Sequence, residues 1–550
     1  MWMQEAIIMS KVIKLLCVLA LCLTSALAYS GAWASRIQYG ELESATTLDP
    51  ITNTNMVSRR LCELIYSGLV DFDQDHKPIW RLATGEPSEG HQIEYSFDLR
   101  EAYWHDGRKL TAEDVMFTVE AMKKAPNRRT MVDSIYEIYN DDNSTLKFIL
   151  KKPILNVLGR LAFKIIPKHV TQTVPIMADN PIATEPVGTG PYQFVRKDRN
   201  GVVYLKKNER YFDNDSPPQI DEIEMRPCGT EDVVYNSLRY GAINVAVSLH
   251  PRYADRITAG FETDDPDRPI EPLAIEPYNP LSYEFFALNM SPERNTVGTR
   301  FLRGDGGEDN GIKVRQALNY GTNRHDWVEM ILYGGAELIS GPFAPGSPYY
   351  NEEVPIYPYD PGKANQLLDE AGFSERDAED YRKNRNGETI VLKVIKRFNV
   401  KEEAKIWEAF EDDLDKLGIK VQAEVLDGED WKRRVYYEHD FDVAFDSRSF
   451  SSAGEIYSLF HSSQSDPGGD NFVSYSNKYV DLLLDKSREV LDAKQVQNIN
   501  KILHETVNQE CPYIFLWSPQ KYACRTRRIR NFKIHPYAFF TYVTDWYLEE

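Results

Sequence analysis

Residues 390–445 constrain the fold of this 550-residue chain more tightly than any other stretch. Two extended apolar runs, 390–395 and 419–425, flank a helical pattern over 402–417 that Gly418 terminates. Strand, helix and strand in that order predict a βαβ unit, whose strands lie parallel with the helix covering one face. Residues 441–445, Phe-Asp-Val-Ala-Phe, predict the next strand of the same sheet. A region built this way belongs to the α/β class.

The remainder of the chain intermixes the same two kinds of element. Strands are predicted at 36–40, 68–72, 243–247 and 283–289, and helices at 59–67, 235–240 and from 312 to 320. Asp360-Pro361 is a helix start, with Asp at the N-cap and Pro at the first helical position, and Gly372 closes that helix. Residues 260–282 are dense in Asp and Pro, which predicts a crossing between two lobes.

The N-terminus reads as a secretory signal. Lys11 and Lys14 precede an apolar run over 15–23, and two A-x-A sites follow, Ala26-Leu27-Ala28 and Ala32-Trp33-Ala34. The second leaves Ser35 as the new first residue, so 1–34 is assigned as signal peptide. The run is much shorter than the roughly 20 residues of a spanning helix. Leu16 precedes Cys17 and Leu21 precedes Cys22, where a lipid-attachment site wants a small residue. A free periplasmic protein is therefore expected. The net charge of -20, with basic residues clustered only at 525–530, argues against nucleic acid as a partner. Four cysteines follow the signal: Cys62, Cys228, Cys511 and Cys524. Cys511 with Cys524 is the pair closest in sequence, and free buried thiols are the alternative.

A second segment is more specific. Residues 95–99 alternate as a strand, His105-Asp106-Gly107 forms a turn, and Thr111 with Asp114 opens a helix in the manner of a capping box. The order and wording of 95–124 resemble the signature of the family 5 extracellular solute-binding proteins. The likeness is spread along the chain. It includes Leu48-Asp49-Pro50, the Pro186-Val187-Gly188-Thr189-Gly190-Pro191-Tyr192 turn, residues 314–320, Tyr359-Asp360-Pro361 with Ala371-Gly372-Phe373, and residues 471–477.

The resemblance implies a two-lobed α/β periplasmic-binding-protein fold of type II with an extra N-terminal subdomain. It places the first lobe at 35–282 plus 511–550, with the subdomain inserted at about 81–205, and the second lobe at 283–510. It further implies a monomer that captures a small solute, a peptide above all, and delivers it to the inner-membrane permease of an ABC transporter. In dipeptide-binding members an arginine after a second-lobe strand takes the ligand carboxylate, and counting back from Gly418 brings that position to Arg397. A solvated Lys396-Arg397 pair is the alternative. The members' amine-anchoring aspartate lies in a loop that corresponds to residues 446–455 here. That loop has lost the Asp-Pro and is altered, so Asp446 or Glu455 replaces the anchor or the ligand lacks an ammonium there. Ser447, Arg448 and Ser449 complete the candidate set, with Arg448 either a second cation in the cleft or the ion-pair partner of Asp446.

No cofactor or metal is expected. The sequence contains no H-E-x-x-H, C-x-x-C, G-x-S-x-G or phosphate-binding glycine motif, and Asp305, Glu308 and Asp309 do not have EF-hand spacing. A secreted hydrolase, or a periplasmic chaperone or sensor on the same fold, are the competing classes, and no catalytic residue can be named for either.

Overall fold

The structure is a computed structural model that describes residues 35–549, apart from 54, 91, 126–127, 141, 143, 156, 172–179, 250, 259–271, 305–306, 398–400 and 451–455. The signal segment and Glu455 lie outside the described residues, as does most of the Asp- and Pro-rich stretch and Asp305.

Three sheets organise the chain. A seven-stranded sheet runs in the order Leu273–Tyr278, Lys521–Thr526, Val245–Leu249, Arg36–Glu41, Glu222–Pro227, Val203–Lys207, Tyr192–Lys197. A six-stranded sheet runs Ala336–Leu338, Tyr513–Pro519, Ser282–Leu288, Val443–Ser449, Val391–Arg397, Lys420–Leu426. A four-stranded antiparallel sheet, with Glu94–Asp98 and Thr145–Leu150 at its centre, packs against the Ala112–Lys124 helix.

The βαβ expectation holds. Val391–Arg397 pairs parallel with Lys420–Leu426 in the register Val391 to Lys420, and the Lys401–Lys416 helix makes the crossover. Val443 pairs parallel with Val394 on the other side, which completes the expected third strand. Trp407, Phe410 and Leu414 of the crossover helix pack on this sheet, and Phe286 stacks on Phe410 at 4.1 Å between ring centres.

Two chain crossings join the large sheets side by side. Leu273–Tyr278 of the first leads through residues 279–281 into Ser282–Leu288 of the second, and Tyr513–Pro519 of the second leads through Gln520 into Lys521–Thr526 of the first. The return to the first sheet thus falls at Gln520, after the strand Tyr513–Pro519 has paired with Ser282–Leu288. Likewise Tyr192–Lys197 belongs to the seven-stranded sheet, although residues to about 205 were expected in the inserted subdomain.

The opening motif is scaffold. The Asp114 carboxylate accepts from the Thr111 amide at 3.0 Å and from the Lys168 amide at 3.0 Å, so one buried acid caps the helix and ties down a distant loop. His105 accepts at Nδ1 from the Gly188 amide and donates from Nε2 to the Gly190 carbonyl, at 3.2 and 3.1 Å. Gly188 and Gly190 themselves lie against the end of the Met56–Ile65 helix. A Cβ at Gly188 would sit 1.8 Å from the Ile65 carbonyl oxygen, so no other residue fits there. Two motifs that read as separate in sequence therefore touch, and together they fix the helix that carries the site described next.

Candidate functional site

The Met56–Ile65 helix begins at Asn55, whose side chain accepts from the Ser58 amide at 2.8 Å. Its core face carries Leu61, Leu64 and Ile65. Arg59, Cys62, Glu63 and, just past its end, Tyr66 recur at helical spacing and line a cavity of about 320 Å³. Other walls come from Arg128, Lys164, Phe540 and Thr541, and the six-stranded sheet contributes Ser449, at the end of Val443–Ser449. The cavity thus lies beside the Met56–Ile65 helix with the six-stranded sheet reaching it at Ser449, and its wall of mixed polarity is suited to a small polar solute.

Its charges fall into two groups. Asp71 accepts from Lys164 and from Arg81, each at 3.0 Å. Burial alone would raise its pKa, but these two cations outweigh the desolvation and hold the carboxyl at about 2. Arg81 also donates to the Thr541 carbonyl at 2.8 Å, which pins the C-terminal segment to the cavity wall. Arg60, the neighbour of Arg59, is taken up by the buried Glu41 through both carboxylate oxygens.

The second group has no such neutralisation. Glu63 accepts from the Phe540 amide at 3.1 Å. Burial pushes its carboxyl up to about 7 against the pull of that amide and of Lys164, Arg60 and Arg59. Among the described residues the Arg128 side chain donates only to neutral acceptors: the Ile51 carbonyl at 3.1 Å, and the carbonyl and side-chain oxygens of Asn53 at 3.1 and 3.0 Å. The Arg59 side chain makes no hydrogen bond or ion pair among the described residues.

The residues singled out from sequence are distributed differently. Ser449 is the one of them among the described lining residues of this cavity. Arg397 ends the Val391–Arg397 strand, donates from Nε to Glu403 at 2.8 Å and lies over Trp431 at 5.0 Å. Its charge is met inside the second sheet's own packing. Asp446 is buried and accepts from the Tyr436 hydroxyl at 2.5 Å, and that hydroxyl accepts from Arg448 at 2.6 Å. Arg448 approaches Asp446 to 3.5 Å, so the ion-pair alternative describes its position. The alternation of the strand explains the split: 446 and 448 face the cluster around Phe285 and Tyr513, whereas 447 and 449 face the opposite side. Ser447 is exposed, and Glu455 lies outside the described residues.

Sequence reading missed Arg59, Glu63, Arg128 and Lys164. A signal was present for the first two, since Arg59, Cys62, Glu63 and Tyr66 share one helical face on which two charges interrupt an apolar pattern. Arg128 and Lys164 carry no such pattern and reach the cavity through tertiary packing alone.

Comparison with known proteins decides the family. The model of the bacterial extracellular solute-binding proteins, family 5, matches residues 77–470. The chain belongs to this family. The family 5 chain is 26% identical to the oligopeptide-binding protein AppA of Bacillus subtilis strain 168, over 92% of its own length and 91% of that protein's. It is also 26% identical to the glutathione-binding protein GsiB of Pectobacterium atrosepticum, over 94% of its length and 96% of that protein's. Among solved structures, Bacillus subtilis AppA in complex with a nonapeptide superposes with a TM-score of 0.81 at 23% identity, covering 94% of this chain and 99% of that one. The family 5 chain therefore has the two-lobed type II fold, and it is a solute-binding protein. No helix among the described residues is long and apolar enough to cross a membrane.

Proposed function

We propose that this chain is the periplasmic capture component of an ABC importer and that its solute is a peptide or a peptide-like small molecule. The observation that carries this reading is the cavity between the Met56–Ile65 helix and Ser449, lined by residues from both sides of the chain crossings in a chain of this family. On this reading the first lobe comprises 35–282 and the C-terminal segment from Gln520, and the second comprises 283–519. The chain works as a monomer, is exported through cleavage before Ser35, and presents its closed form to the permease. It catalyses no reaction: the solute leaves as it entered.

The paired crossings at 279–281 and Gln520 suit this role. Two short connections side by side let two rigid lobes rotate about one axis with few backbone angles changing. Thermal unfolding against panels of peptides, sugars and metal ions tests the proposal. A ligand at a hundredfold excess over its Kd stabilises the folded state by about 2.7 kcal/mol. Peptides are expected to raise the midpoint by several degrees, and panels that leave it unmoved would count against the reading.

A further inference from the structure

Arginine buried in a protein is ordinarily matched by a carboxylate or by a full set of carbonyls. Most buried arginines here follow that rule. Arg60 meets Glu41, Arg81 meets Asp71, and Arg382 meets Asp369 at 2.6 Å. Arg324 has no acid but is sealed by the carbonyls of Phe515, Asn319 and Tyr357.

Arg59 and Arg128, both half-buried, depart from the rule in the same cavity. Neither has a carboxylate within ion-pairing distance among the described residues, and Arg128 satisfies Nε and Nη2 on neutral oxygens while Nη1 stays unbonded. Burial depresses both guanidiniums and outweighs the pull of Glu63 on Arg59 and of Asp49 on Arg128, neither of which forms an ion pair, and the charge of Arg59 depresses Arg128 further. Glu63, the remaining acid of the wall, accepts from the Phe540 amide and makes no ion pair with either arginine among the described residues. The other cavity cations, Lys164 and Arg81, already share Asp71. The described lining is thus net positive in a chain whose overall charge is -20.

We propose that Arg59 and Arg128 form the anion clamp of the site and hold a carboxylate of the solute, whose negative charge is the counter-ion both lack. The substrate class that follows is a carboxylate-bearing solute, a peptide with a free C-terminus or an acidic side chain. This deepens the solute-capture reading and rests on it. Guanidinium forks suit the task because each meets a carboxylate with two parallel hydrogen bonds. The clamp also puts the charge-recognising element on the first lobe, in place of Arg397, which Glu403 already occupies.

The test uses the full chain from Ser35, stripped of retained solute, with three probes: a mixed tripeptide library with free C-termini, the same library C-terminally amidated, and citrate. Affinities come from thermal shifts at constant ionic strength. The free-acid library or citrate is expected to bind at least tenfold more tightly than the amides. Arg59→Gln and Arg128→Gln are each expected to weaken acid binding about a hundredfold, while Arg59→Lys retains part of it. The ligand-free Arg59→Gln variant should melt no lower than wild type, because removing its charge relieves the repulsion, whereas Arg128→Gln also gives up its hydrogen bonds to Ile51 and Asn53 and is judged by affinity, with a cooperative melt as the check that it folds. Equal binding of acid and amide, or unchanged acid affinity in the glutamine variants, would overturn the clamp and leave solute capture standing. Failure of every probe to bind would overturn both.

Discussion

Glu403 accepts a hydrogen bond from Arg397 Nε at 2.8 Å from within the Lys401–Lys416 helix, and the helix thereby closes over the strand whose last residue it neutralises. The Glu403 side chain is only 2% exposed, and it accepts as well from the Trp407 indole at 3.3 Å. Burial raises the Glu403 pKa even against the pull of Arg397, so losing the arginine strands an acid already short of solvation.

Arg397→Ala is accordingly expected to cost about 1–3 kcal/mol of stability, below the full value for a buried pair because the arginine is partly exposed. Urea denaturation at neutral pH measures it. Solute affinity should change less than tenfold, in contrast to the Arg59 and Arg128 variants. A large affinity loss with stability intact would return Arg397 to the site.

Glu63 gives a pH signature of the empty cavity. Its folded pKa, near 7, lies above the unfolded value of about 4.5, so the folded state binds the proton more tightly. The stability this contributes is present below pH 4.5 and is lost as pH rises through 7. Glu63→Gln should therefore leave stability unchanged at pH 4.5 and raise that of the ligand-free protein at pH 8 by up to about 3 kcal/mol. A gain that does not vary with pH would show that Glu63 is not titrating there.

His504 works in the opposite direction. It is fully buried, accepts from the Asn351 amide at 3.1 Å and contacts the Ser340 hydroxyl at 3.0 Å, and burial lowers its pKa to about 4. The unfolded chain takes up the proton first as pH falls, so stability present above about pH 6.5 is lost toward pH 4, by up to about 3 kcal/mol from this residue. His504→Gln should flatten that part of the profile in chemical denaturation. An equally steep acid limb in the variant would assign it to other groups.

All four cysteines of the described chain are free, including Cys511 and Cys524, for which a bridge had been the sequence-level possibility. Cys511 caps the Ala493–Glu510 helix and Cys524 sits inside the Lys521–Thr526 strand, both buried, with thiols pushed up to about 11 and 12. In the folded protein a thiol reagent should label the half-buried Cys228 first and the other three only on unfolding. Fewer than four reactive thiols after denaturation without reductant would reveal a disulfide.

The sequence made the scaffold legible because local rules decide it. The Asp360-Pro361 start appears as a helix over Pro361–Glu370 with Asp360 accepting from the Lys363 amide, and the parallel unit around Val391–Arg397 follows from period and length. The site was less legible. Arg397, Asp446 and Arg448 were reached by position along the chain, yet which face of a strand a residue occupies, and which acid meets it, depend on partners remote in sequence. Tyr436 and Glu403 decide those outcomes. Arg128 reaches the cavity by docking on Ile51 and Asn53, which no pattern in the turn that carries it announces.

Native mass spectrometry of the chain purified from the periplasm, followed by denaturation and identification of whatever is released, tests the central claim most directly. The expected result is a one-to-one adduct whose released solute carries a carboxylate and rebinds to the stripped protein. A bare protein mass in every preparation, together with no adduct on adding peptide mixtures, would contradict it.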